Sequence, residues 1–186
     1  MQFAPARPDV VRAINQRWLL MFWQRHRGAH RVPRWQAVEA EDFSRISGNL
    51  SFLDVVRGNG LLRFQIRFHG AFVGEVYDAP DCRGVFLHES KPEAVRAHAL
   101  APYRRTVESG RPVYTIQDVA DRQGRLVHHE RLLLPFSRDG ESVERILTSF
   151  EFVCPDGAFE SRALMVSQAA PPTLRLSATI EPQAQA

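Results

Sequence analysis

The chain has 186 residues, 44% hydrophobic and 24% charged, with a net charge of +3. That is enough for one domain with flanking segments, whose core needs neither disulfides nor a metal. Of the 24 basic residues only Lys91 is a lysine, and no basic block resembles a nucleic-acid arm, so no nucleic-acid partner is expected. Cys82 and Cys154 lie far apart without metal-ligand spacing, which gives a zinc site no support. The N-terminus lacks the pattern of a secretory leader. The most apolar run, Leu19 to Trp23, is too short to span a membrane, so the expected location is the cytoplasm.

Val11, Ile14, Trp18, Met21 and Phe22 recur at helical spacing and predict a helix over residues 9–27, capped by Asp9 and ended by Gly28. Its apolar stripe is wide and must cover something, either its own sheet or the same helix of a second chain. Val11, Ile14, Trp18, Met21, Phe22 and Trp23 are therefore the expected homodimer contacts. A polar connector over residues 28–41 leads to a short helical turn over 41–46.

A first strand is predicted over 50–56, followed by the turn Arg57 to Gly60. The second strand, over 62–68, alternates: Leu62, Phe64, Ile66 and Phe68 on one side, Arg63, Gln65 and Arg67 on the other. Residues 70–89 are irregular with short helical pieces. Ser90-Lys-Pro-Glu93 has the form of a capping box, and Pro102 divides the helix that follows into 91–99 and 102–109. Strands are expected over 112–120, 126–136 and 143–153. From about Gln168 the composition is Ala, Pro, Gln, Thr and Ser, and a disordered tail is expected. The chain thus divides into an N-terminal helix and connector (1–41), a central domain (42–155) and a C-terminal extension (156–186).

Helix, two strands, short helices and three strands imply an α+β fold, with a five-stranded antiparallel sheet carrying helices on one face. Several motifs follow in order: Trp23 to Arg27, Leu50-Ser-Phe-Leu-Asp-Val55, Phe64-Gln-Ile-Arg67-Phe-His-Gly70, Asp81-Cys-Arg-Gly84, Gly110-Arg-Pro-Val113 and Glu130 to Gly140. Over residues 18–153 this pattern resembles a bacterial PAS subfamily of mostly single-domain proteins. Ala71 and Cys82 depart from it, the first standing where a hydroxyl residue is commoner and the second where an aliphatic is. The resemblance implies a pocket between the inner sheet face and the short helices, with both departures beside it.

Phe64, Ile66 and Phe68, with Ile146, Phe150 and Phe152, either line such a pocket or close the core. PAS domains that bind haem usually use a histidine before the third strand, and His98 is the nearest candidate, with His88 behind it. An isolated helical histidine reads first as a surface residue, so haem is not expected. Asp81 to Leu87 echoes a flavin-sensor motif in broken register, so flavin is not expected either, and no cofactor is assigned. Arg67 and Glu130 are expected to form an ion pair; the alternative is that Arg67, His69 and His128 hold an anionic ligand. The candidate ligand-binding residues are Phe64, Arg67, Phe68, His69, Cys82, His98, Tyr103, His128, Glu130 and Phe150.

No nucleophile elbow, phosphate loop or metal spacing points to an enzyme. The expected role is a non-enzymatic sensory module that signals through a partner protein. Two forms of it stay open: a small-ligand sensor, which needs a cavity, and a ligand-free interaction adaptor, which has its core packed solid.

Overall fold

The computed structural model describes residues 1–39, 41–58, 60–79, 81–121, 123–155, 157 and 172–181. Strand β1 (Ala4–Ala6) and a 3-10 turn over Pro8–Val10 precede helix α1 (Ile14–Arg27). The helix therefore starts five residues later than predicted, because Asp9 is taken into the 3-10 turn and caps no α-helix. Gly28 ends α1 with a φ of 53°.

The supposedly polar connector carries core. Val32, Trp35 and Val38 are buried, and a short helix α2 (Gln36–Glu39) sits inside it. The helical turn expected over 41–46 gives way to turn residues and a 3-10 helix at Ser47–Asn49.

Strands β2 (Leu50–Gly58) and β3 (Leu61–His69) form the predicted hairpin. Helix α3 (Ala71–Tyr77) starts directly after it. Gly70 is required at that junction, since a Cβ there would lie 2.3 Å from the carbonyl oxygens of Ser47 and Gly48. Helix α4 (Glu93–Ser109) is continuous through Pro102, against the expected break. Pro102 forfeits one backbone bond, but Val95, Leu100, Tyr103 and Thr106 bury both halves of α4. Ser90 is no cap: α4 begins after Pro92, and the Ser90 hydroxyl donates to the Leu87 carbonyl.

Strands β4 (Val113–Ala120), β5 (Leu126–Phe136) and β6 (Arg145–Val153) follow as predicted to within two residues. The fold is α+β, but its sheet is mixed and has seven strands in the order β1-β7-β4-β5-β6-β2-β3, not five. The added inner neighbour of β4 is β7 (Thr173–Ile180), which pairs antiparallel with β4 and parallel with β1. Residues 173–180 are thus not a disordered tail. Ala178 and Ile180 are buried, and Arg105 of α4 donates to the Thr179 hydroxyl at 3.0 Å. The remainder of the predicted tail, 168–171 and 182–186, lies outside the described residues.

Strand alternation assigns the two faces. Glu130, Leu132 and Leu134 of β5 point to the outer face under α1, while His129, Arg131 and Leu133 point inward under α3 and α4. Helix α1 is anchored outside by polar contacts as well as apolar ones. The Trp23 indole donates to the Pro135 carbonyl at 2.7 Å, and the Gln16 amide donates to the Ser149 carbonyl at 3.2 Å. Val11, Leu19, Leu20, Phe22 and Trp23 are all buried beneath it.

Candidate functional site

The inner face is not packed solid. A cavity of about 210 Å³ lies between it and the segment from α3 to α4. Its walls include Ser51, Leu53, Ile66 and His69 from the β2–β3 hairpin, and Arg131 and Phe150 from β5 and β6. Tyr77, Cys82, Leu87, Lys91 and Tyr103 close it from the helical side.

A bulge in β3 decides which residues reach it. Phe52 pairs with Phe68 and Leu53 with Ile66, so Arg67 is the extra residue. Beyond the bulge the alternation is inverted. Phe68 turns to the outer face, where its ring lies 5.1 Å from that of Phe52, and His69 turns inward to the cavity. The expected common face for Phe64, Ile66 and Phe68 therefore holds only for the first two.

Arg67 is an exposed residue whose Nε donates to Asp54 at 2.5 Å, so the expected pair with Glu130 does not form. Glu130 instead accepts from the Tyr114 hydroxyl on the outer face, and that hydroxyl also receives the Arg12 amide. His128 pairs with Asp118 at 2.8 Å, and Asp118 also binds Arg175. Arg67, His69 and His128 are thus not one anion site, because only His69 reaches the cavity. Of the ten predicted residues, His69, Cys82, Tyr103 and Phe150 line it. Phe64 is core behind Tyr103, their rings 5.4 Å apart. His98 stands outside, with its Nε2 2.8 Å from the Gln117 amide, and Ala71 is exposed at the start of α3.

The residue that sequence reading passed over is Arg131. It is only 5% exposed; its Nε donates to the Thr115 hydroxyl at 3.3 Å, and its Nη2 is buried without a hydrogen-bond partner. Lys91, the single lysine of an arginine-rich chain, lines the same cavity with its ammonium 3.7 Å from the centre of the Tyr77 ring. Burial first, and the Arg131 charge second, bring Lys91 down to about 8. Burial also lowers His69 to about 4, with the Lys91 charge adding to it, so the imidazole is neutral at pH 7. Its Nδ1 lies 3.0 Å from the Ser51 hydroxyl, and its Nε2 is buried and unpartnered. Deeper still, His129 is stacked between Phe150 and Phe152, and burial holds it well below the usual histidine value. Burial raises the hydroxyls of Tyr77 and Tyr103.

Cys82 is a free thiol, and among the described residues no group of His, Cys, Asp and Glu is gathered at metal-binding distance. No helix among those residues is long and apolar enough to cross a membrane.

Five antiparallel strands in the order β3-β2-β6-β5-β4, with helices over a cavity on one face, define a PAS-type fold. The chain belongs to the PAS domain family, whose pattern it matches over residues 11–150. Among curated proteins no match is found. Among solved structures, a Vibrio cholera VqmA–ligand–DNA complex is similar at 13% identity and a TM-score of 0.42, over 55% of this chain. The present chain spans 45% of that one's length.

Proposed function

We propose that this protein is a non-catalytic PAS sensory module that binds a small molecule between its inner sheet face and α4, and reports occupancy to a partner protein. The observation that carries this is the cavity itself, since an adaptor without a ligand gains nothing by leaving its core unfilled and a buried arginine nitrogen unpartnered. Native mass spectrometry of the purified protein, followed by denaturation of the same sample, tests it. A mass excess released on denaturing supports the sensor. A clean apo mass, with no stabilisation by any member of a metabolite library, moves the weight to the ligand-free adaptor.

The output surface in this reading is the solvent side of α1. Ile14, Trp18 and Met21 are 76%, 37% and 60% exposed, and their spacing places them on one side of the helix. Val11, Phe22 and Trp23, expected at the same contact, are committed to the domain's own core. Homodimerisation through Ile14, Trp18 and Met21 places a hydrophobic contact where changes in sheet packing are felt. Trp18→Asp then converts a dimer to a monomer in sedimentation; a dimer left intact by this substitution rules out this face.

A further inference from the structure

We propose that the guest of the cavity is a small organic carboxylate, its carboxylate held by Arg131 and Lys91 and its apolar body against Leu53, Ile66, Leu87 and Phe150. This rests on the small-molecule reading above and names the ligand class. The argument begins with charge. A guanidinium cannot shed its proton, and an unpaired buried charge is costly enough that folded proteins pair it or coordinate it. Arg131 has no carboxylate within ion-pair distance among the described residues, and neither has Lys91.

The nearby acids are engaged elsewhere. Glu130 takes the Tyr114 hydroxyl on the opposite face, Asp54 takes Arg67 and Arg145, and Asp118 takes His128 and Arg175. Two positive groups therefore face one cavity with no anion supplied by the described residues. An anionic guest compensates both and satisfies Arg131 Nη2. The neutral His69 adds a third donor in the tautomer in which the Ser51 hydroxyl donates to Nδ1, leaving the proton on the unpartnered Nε2.

Shape narrows the class. A cavity of about 210 Å³ exceeds the roughly 150 Å³ that takes a benzene-sized guest, and is below the ~300 Å³ where drug-sized pockets begin. A planar guanidinium fork matches a carboxylate. Phosphate sites usually add a nest of backbone N–H groups or a helix N-terminus, and the first turn of α4 already carries Glu93.

Isothermal titration of the full chain with phenylacetate and 4-methylpentanoate, with their primary amides, and with phenyl phosphate tests this. Each carboxylate is expected to bind at least about tenfold tighter than its amide, the scale of one charged hydrogen bond. Arg131→Met and Lys91→Met are each expected to erase most of that preference. Amides that bind as tightly as the acids overturn the carboxylate assignment and leave the sensor reading standing. Tightest binding by phenyl phosphate replaces the class with a phosphoryl anion. If none of the five binds, the proposal falls, and the native-mass measurement decides whether the sensor reading falls with it. The ligand series decides on the wild-type chain alone should either variant fail to fold.

Discussion

The two faces of β5 are built from alternate residues of one strand, yet they solve opposite problems. On the outer face Glu130 meets the Tyr114 hydroxyl, Leu132 and Leu134 are fully buried, and the Trp23 indole reaches the Pro135 carbonyl. Polar atoms there are largely matched and the apolar ones closely packed. On the inner face His129 and Arg131 keep buried nitrogens without partners, beside a cavity. A face built for stability spends its polar groups on one another. In the proposed reading, the inner face leaves them free for a guest.

The sharpest test of that contrast is Trp23→Ala. Removing a buried indole and its hydrogen bond should cost about 3–5 kcal/mol, read as a lowered urea midpoint. A loss below about 1 kcal/mol would mean that α1 contributes little to the fold. Tyr114→Phe comes next. It strips the hydroxyl from a buried carboxylate and should cost about 1–3 kcal/mol.

The inner face should respond to pH more than to substitution. Lys91 is lowered in the folded state, so between its folded value of about 8 and its unfolded 10.5 the unfolded chain binds more protons. Stability then rises with pH from about 8, by at most about 1.4 kcal/mol per pH unit, until tyrosine ionisation in the unfolded chain opposes it near pH 10. The Lys91→Met variant should lose this rise, and urea midpoints at pH 7.5 and 9.5 measure it. His69 and His129 act at the acid end. Both are lowered by burial, so the stability of their neutral forms is present above pH 6.5 and is lost as pH falls below it, for His69 down to about 4.

Smallest of all should be Arg131→Met without ligand. Exchanging an unpaired buried cation for a side chain of similar length leaves stability within about 1 kcal/mol of wild type, or raises it. A loss above about 2 kcal/mol would show that the guanidinium holds the fold together, and the division between the two faces would then fail.

Much of the architecture was legible in local patterns. The β2–β3 hairpin, the three later strands and the stop of α1 at Gly28 follow from alternation, turn residues and helical spacing. The motif ending in Gly70 has a physical cause: no side chain fits against the Ser47 and Gly48 carbonyls. Strand β7 was passed over, although Leu174, Leu176, Ala178 and Ile180 alternate with Thr173, Arg175, Ser177 and Thr179, because the Ala, Pro and Gln composition around it hid that period. The site was half legible. His69, Cys82, Tyr103 and Phe150 were among the expected lining residues, whereas Arg131 and Lys91 were not, since their approach to one cavity depends on strand pairing and helix placement. What misled was Arg67: its bulge inverts Phe68 and His69, and no periodicity within one strand records an extra residue opposite another.

The sequence by itself determined the five central strands, the body of α1 and that they belong to a PAS-like module, because alternation and turn residues act within a few positions of one another. Tertiary structure alone decided which side of each strand is inside, which acid answers which base, and that Arg131 and Lys91 share a cavity with no carboxylate supplied by the described residues. Those facts depend on register and on partners distant in sequence, and a single residue of slip in β3 exchanges one face for the other.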